Sequence, residues 1–309
     1  MVCSLAAATG HAAYPEKPIK LVVPASAGTI TDVLAREFAQ SLSTVVKQSV
    51  IVENLPGAEQ VIGTQTVVRA EPDGHTALFV SSSTTILDPL LKKSLPYDPG
   101  KDLAPVCGIA RVGNILYVSA SLPYKNTGEL LSAAKAQPGK LSFANSSATT
   151  RLAGELFQQT AGISLLSVPY KATSAGLTDV AGGQVSMMFI DQVSAAPYVQ
   201  SGKIRPLAAS GAQRHKALPD VPSAAEGGVP GYEIWPTIAV FLPAKTPAAI
   251  TVQLRDAVAQ ATKAPAFAAT REKAGLEEFA VCGDALTKYQ QSEMERWAQV
   301  IKNAGIEKQ

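Results

Sequence analysis

The sequence predicts an α/β protein of two lobes facing each other across a cleft. Three observations lead there. Short β-rich runs alternate with helical stretches of about ten residues, the rhythm of mostly parallel sheets flanked by helices. The chain has 309 residues, more than one small domain needs. Two connecting stretches, Pro105 to Val118 and the Pro/Gly-rich run from Pro219 to Pro236, let the chain leave one lobe and later return to it. This assigns residues 14–116 and 236–309 to one lobe and 117–235 to the other, with the connections as two hinge segments.

The elements follow from local pattern. Ile19 to Val23 (IKLVV) is a strand. A helix is expected from about Thr31 to Lys47, where Leu34, Phe38, Leu42 and Val45 form one apolar face. Val50 to Val52 is a strand, about 58 to 70 a helix, and Pro72-Asp73-Gly74 a stop. Thr76 to Val80 is the third strand. After Pro123 the alternation resumes. A helix capped by Asn126 or Thr127 runs to Ala136, Pro138-Gly139 turns, and Leu141 to Ala144 is a strand. Then come helix 149–161, strand 167–168, helix 173–181, strand 185–190, helix 194–201 and strand 204–209. Ile238 to Leu242 is a returning strand, followed by two helical runs, the last opening near Asp284 and carrying Leu286, Tyr289 and Trp297.

Composition narrows the function. Apolar residues make up 46% and charged residues 17%, with a net charge of +2. No Lys/Arg run suggests nucleic acid. Aromatics at 6% do not favour a sugar-stacking platform. No run of about 18 apolar residues marks a membrane span. Residues 1–13 (MVCSLAAATGHAA) read as the remnant of an export signal, with Gly10 and Ala12 as the small residues before a cut at Ala13. Cys3 would leave with it. Cys107 and Cys282 then either bridge, in an oxidising compartment, or sit apart as small buried apolar residues.

The search for catalytic chemistry is negative. The histidines are His11, His75 and His215, and the latter two read as surface residues. No nucleophile elbow, HExxH, Walker loop or GxGxxG occurs. Neither a metal site nor a cofactor is expected.

The search for anion-binding geometry is richer. Ala25, Ser26, Ala27, Gly28, Thr29 and Ile30 lie between a strand and a helix, where unpaired N–H groups suit a carboxylate. Gly28 permits a sharp turn. As an alternative, the segment is a plain capped turn, with Thr29 and Asp32 as the cap. Three further strand ends are rich in hydroxyls. One is Ser81, Ser82, Ser83, Thr84 and Thr85. Another is Asn145, Ser146, Ser147, Thr149, Thr150 and Arg151. The third runs from Tyr170 and Lys171 to Ser174. Two loops from each half converge on one cleft. Arg151 offers a bidentate clamp for a carboxylate, or a surface or interlobe ion pair. Asp191 offers a partner for a ligand amine or neutral group, or for Arg151.

The ordered motifs resemble those of a known family. Tyr14-Pro15-Glu16-Lys17-Pro18-Ile19 followed by LVVP looks like a mature start. Val52-Glu53-Asn54-Leu55-Pro56-Gly57-Ala58 is similar to VENRPGA. Glu71-Pro72-Asp73-Gly74, Leu152-Ala153-Gly154-Glu155, Val168-Pro169-Tyr170-Lys171, Gly182-Gly183-Gln184-Val185 and Leu218-Pro219-Asp220-Val221-Pro222 continue the match to about Ile306. The sequence resembles the Bug family, the TctC-like receptors of tripartite tricarboxylate transport systems. The resemblance implies a periplasmic-binding-protein fold of type II kind that closes on its ligand. It implies periplasmic capture of an organic carboxylate, here expected to be a dicarboxylate, and delivery to membrane permease subunits, by a monomer that is not an enzyme. It carries pocket-lining roles to the four loops named above. Three positions depart from the family pattern. Side chains stand in the 25–30 loop where glycines are common, Arg151 stands where a small residue or His is expected, and Asp191 replaces an expected Asn.

Overall fold

The computed structural model describes residues 14–303 and 305–308. The expected signal remnant, with Cys3, lies outside the described residues.

The chain begins with β1 (Ile19–Val23), α1 (Ile30–Val46), β2 (Val50–Asn54), α2 (Val61–Val68) and β3 (Thr76–Ser81). Helix α1 forms as its pattern predicts. Thr29 caps it, and Lys47 ends it with φ of 55°. Leu34, Ala35, Phe38, Ala39 and Leu42 are buried against the sheet, and each large side chain contributes about 1.5–3 kcal/mol by leaving water. Phe38 packs between Phe79 and Phe267, with ring centroids 5.6 and 5.7 Å away.

Two short helices absent from the sequence reading follow, α3 (Asp88–Leu91) and α4 (Pro99–Asp102). Then β4 (Leu103–Arg111) and β5 (Ile115–Ser119) run almost end to end. The second half has α5 (Thr127–Ala136), β6 (Ser142–Asn145), α6 (Ala148–Ala161), β7 (Leu166–Pro169), α7 (Thr173–Ala181), β8 (Met187–Ile190), α8 (Gln192–Gln200) and β9 (Ile204–Ala209). The chain closes with β10 (Thr237–Pro243), α9 (Ala248–Ala261), α10 (Pro265–Lys273), β11 (Glu277–Glu278) and α11 (Asp284–Asn303).

The strands form two sheets, ordered β11-β4-β10-β3-β1-β2 and β7-β6-β8-β5-β9. Both are mixed, which corrects the expectation of mostly parallel sheets. The βα units do pair in parallel, β1 with β2 and β3, and β6 with β7 and β8. The strands that carry the chain between lobes run against them. β10 is antiparallel to β3 and β4, and β5 is antiparallel to β8 and β9. The stretch expected as a plain link is therefore one strand of each sheet, with only residues 112–114 between.

Those residues lie beside the return path. Val112 N donates to Pro236 O at 2.7 Å, and Ser210 N donates to Asn114 O at 2.7 Å. His215 is buried here, which corrects its reading as a surface residue. A Cβ on Gly113 would stand 2.3 Å from its ring, so only glycine lets the imidazole seat against the crossing strand. His75 is also buried, edge-on to Tyr14 at 5.1 Å between ring centroids.

One apolar core joins both halves. Ile86, Leu87 and Leu91 pack in the same cluster as Leu152, Phe157 and Phe189, and Trp297 and Ile301 of α11 complete it. Among the described residues no helix is long and apolar enough to cross a membrane.

Cys107 and Cys282 form a disulfide, 175 residues apart in sequence. Cross-linking so long a loop limits the unfolded chain and is worth about 2–5 kcal/mol. Reduction, or the double substitution C107S/C282S, is expected to lower the Tm by roughly 5–15 °C. Calorimetry with and without dithiothreitol checks this, and an unchanged Tm would contradict it.

Candidate functional site

The site is built from helix starts. Between β1 and α1, Gly28 turns with φ of 81°, and its N–H donates to Asp32 Oδ2 at 2.9 Å. Thr29 Oγ1 accepts from Asp32 N and donates to Ser26 O. Asp32 Oδ1 in turn accepts from Asn54 Nδ2 at 2.9 Å and lies 2.9 Å from Arg36. Burial pushes the Asp32 carboxyl upward, but the Gly28 N–H, Arg36 and Asn54 together hold it below its ordinary value. Its charge fixes the loop from beneath.

In the other lobe Ser147 caps α6. Its Oγ accepts from Thr150 N, while Thr150 Oγ1 accepts from Ser146 N and Ser147 N at 2.9 and 3.0 Å. Ser146 Oγ meets Thr173 Oγ1 at 2.9 Å, tying the start of α6 to that of α7. Asp191 caps α8, its two oxygens accepting from Ser194 N and Ser194 Oγ at 2.8 Å each. Burial pushes the Asp191 carboxyl up, against those two hydrogen bonds. The start of α7 differs: Ala172 supplies no side-chain cap.

All four helix starts border one cleft between the two sheets, with a volume of about 350 Å³. That lies toward the small end of ligand pockets. Its apolar wall includes Ile30, Val112, Leu177, Ile190 and Ile238. Its charged wall residues are Glu59, Lys171 and Asp191, so Lys171 is the sole cation among the described lining residues. The described lining residues include no histidine or cysteine.

The sequence candidates divide cleanly. Ala25 to Ile30 all line the cleft, as do Ser81, Ser146, Ser147, Thr149, Thr150, Lys171 and Asp191. Ser82, Ser83 and Thr84 do not. The chain turns inward after Ser81 in a π-turn, Ser83–Leu87, that buries Ser83 and Thr84. Ser82 Oγ accepts from Thr237 N instead. Asn145 is buried and donates to Ser167 Oγ. Tyr170 turns back to donate to Asp179 Oδ2 at 2.7 Å. Arg151 stands past the first turn of α6, off the cleft wall, where its charge opposes the upward push of burial on the Glu155 carboxyl. It makes no ion pair with Asp191 among the described residues.

Sequence reasoning missed the hinge residues Val112, Asn114 and Pro236, the helix residues Leu177, Ser194 and Pro197, and the turn from Gly57 to Gln60. That turn replaces the first residues of the helix expected over 58–70. Gly57 has φ of 131°, and Ala58, Glu59 and Gln60 follow at 44°, 52° and 78°. Left-handed backbone costs a residue with a side chain about 1–2 kcal/mol. Behind the turn, Lys92 Nζ lies 3.1 Å from Glu59 Oε2 and 3.8 Å from Asp88 Oδ2. Asp88 is 1% exposed, and neither carboxyl oxygen has a hydrogen-bond partner.

Residues 34–306 match the family described as the tripartite tricarboxylate transporter family receptor. A protein of Pseudomonas sp. strain P51, from the tcbD–tcbE intergenic region, is 33% identical over 94% of this chain and 87% of its own length. The R. palustris protein Rpa4515, solved with adipate, is 33% identical with a TM-score of 0.90, covering 96% of this chain and 100% of that one. The periplasmic binding protein BugD is 31% identical with a TM-score of 0.88 over the same shares.

Burial pushes the Asp88 carboxyl up to about 7, Lys92 opposing and Glu59 adding to the rise. The unfolded value is about 3.9. With the folded value higher, this group favours folding most at low pH, and stability falls as pH rises from about 4 to about 7, by roughly 4 kcal/mol at most. Asp88→Asn is expected to gain on the wild type steadily as pH rises from about 4, with its largest advantage in melting temperature at pH 8. Melting curves across that range check this, and a gap independent of pH would refute it.

Proposed function

The chain belongs to the tripartite tricarboxylate transporter family of receptors, and from that premise we propose that it captures a small organic carboxylate in the interlobe cleft. It is a periplasmic solute-binding protein and not an enzyme. The carrying observation is the convergence of four helix N-termini on one cleft. Each helix start carries roughly half a positive charge, and the first-turn N–H groups that its cap leaves free, most fully those of the uncapped α7, favour an anion without an arginine clamp.

The finer reading is a dicarboxylate. The loop before α1 offers one end, through backbone N–H groups and the Ser26 hydroxyl, while Thr29 spends its own hydroxyl on Ser26 O. The uncapped start of α7 beside Lys171, with Ser146 and Ser147 at the start of α6, offers the other. Apolar residues from both lobes line the space between. The adipate bound by the R. palustris relative is consistent with such a ligand. In this reading Lys171 takes the place first given to Arg151. Asp191 serves its own helix, so it gives an amine-bearing ligand no free carboxylate. The lobes would be 14–116 with 236–309, and 117–235. They would close by bending at residues 112–114 and 235–237, and the loaded monomer would deliver its ligand to membrane permease subunits.

A thermal-shift screen over aliphatic and aromatic diacids, monoacids, amino acids and sugars tests the reading. Carboxylates alone are expected to raise the Tm, because ligand that binds only the folded state stabilises it. A shift only with sugars or amines would refute it. Lys171→Met is expected to weaken a diacid about 10- to 100-fold and a monoacid much less, the range for losing a charged hydrogen bond. Arg151→Ala is expected to change either by less than about twofold. Equal losses for diacid and monoacid in the Lys171 variant would remove its far-end role.

A further inference from the structure

The turn from Gly57 to Gln60 is a stretch of cleft wall held in backbone geometry that its own residues resist. Ala58, Glu59 and Gln60 lie in a left-handed run that glycine enters freely and side-chain-bearing residues do not. Such strain persists where surroundings over-determine it, and it collects at ligand sites. The surroundings here are specific. Thr84, fully buried, donates from Oγ1 to Gln60 Oε1 at 2.9 Å. Lys92 holds Glu59 Oε2 at 3.1 Å. Both Glu59 and Gln60 line the cleft.

The ion pair does not account for the strain. The Glu59 side chain is 60% exposed, and exposed pairs add little to stability. Lys92 also has a second carboxylate within 3.8 Å, that of Asp88. The fold can therefore dispense with a carboxylate at position 59.

We propose that Glu59 and Gln60 are specificity-determining residues, which select a carboxylate that carries a hydrogen-bond donor, hydroxyl or ammonium, on its carbon chain. The inference rests on the carboxylate reading of the cleft and deepens it. A cleft furnished with helix N-termini, hydroxyls and Lys171 is rich in donors. Glu59 is an acceptor only, and to a bare diacid its unpaired oxygen offers no hydrogen bond, only repulsion that Lys92 partly offsets. A donor on the ligand turns that repulsion into a charge-assisted hydrogen bond. Gln60, its amide oxygen engaged by Thr84, has N–H donors to offer the oxygen of the same hydroxyl. The other lining acid, Asp191, spends both oxygens on Ser194, whereas Glu59 gives Lys92 only Oε2, so Glu59 Oε1 is the acidic acceptor that remains among the described lining residues. A site built to pair with a ligand O–H or N–H rejects the analogue that lacks it far more strongly than a plain apolar pocket could.

The test uses two matched sets: succinate, malate and aspartate, and adipate, 2-hydroxyadipate and 2-aminoadipate. Calorimetric titration of the full chain is expected to show a substituted acid binding about tenfold or more tightly than its bare parent. Whether the hydroxy or the amino member leads identifies the donor. Gln60→Gly is expected to weaken the hydroxy acid's advantage and to lower the ligand-free Tm, because the buried Thr84 hydroxyl loses its acceptor. In Glu59→Gly the preference is expected to shrink to within about twofold, while the ligand-free Tm stays level or rises, since glycine accepts this backbone. A preference that survives Glu59→Gly would overturn the proposal. So would a fall in its ligand-free Tm, which would assign the residue to the fold. If the wild type binds these acids with no preference for the donor, this inference alone falls. If it binds no carboxylate at all, the carboxylate reading falls with it.

Discussion

A helix must do something with the N–H groups of its first turn, and in this protein four helices face that demand at one place. The βα units of each lobe send their helices off from the same edge of the sheet, and the crossing strands bring the two edges together. Each start then meets the demand differently. Thr29 and Asp32 serve α1, a reciprocal Ser147–Thr150 pair serves α6, and Asp191 serves α8. Only α7 among them has no side-chain cap, and Lys171 stands directly before it. Of these four positive ends, the one without a side-chain cap is thus the one reinforced by a cation. Shape, field and apolar lining all follow from where those four helices begin.

Much of this is visible in the sequence, and what is hidden is hidden for physical reasons. A strand, a small-residue loop and an amphipathic helix in succession place Ala25 to Ile30 and Ser146 to Thr150 without any knowledge of packing. Hydroxyl content alone does not place a loop at the cleft. Ser83 and Thr84 share the composition of their neighbours, yet Ile86 and Leu87 pull the chain into the core. Arg151 belongs to the right segment but stands past its first turn, because α6 starts at Ala148 and sends only its first residues to the cleft. The left-handed turn at 58–60 has no signature, since the residues that adopt it are not glycines. The sheets read as parallel because only the βα units have a rhythm. The antiparallel strands that cross between lobes are set by topology. The buried His215 needs Gly113 opposite it, a pairing across about a hundred residues that no local pattern carries.

The hinge and the core make opposing demands. Residues 112–114 and their return partners are narrow and hydrogen-bonded, well suited to bending. Behind them, Trp297 and Ile301 of α11 and the Ile86–Leu91 segment share a continuous apolar cluster with Phe157 and Phe189. Separating those surfaces would expose apolar area at about 25 cal/mol per Å². Motion that keeps the cluster closed, opening the cleft on the far side, avoids that cost. In the proposed closure the packing would favour motion in that direction.

The disulfide has a topological consequence besides its energetic one. Joining Cys107 to Cys282 closes a covalent ring that contains both crossings and every strand of the second sheet. A protease that cuts any exposed loop of that lobe opens the ring without dividing the molecule. The two pieces remain one covalent body, with the cleft loops still tethered to the same base. In an oxidising compartment shared with proteases, a receptor nicked there keeps its parts together until a reductant reaches the bond.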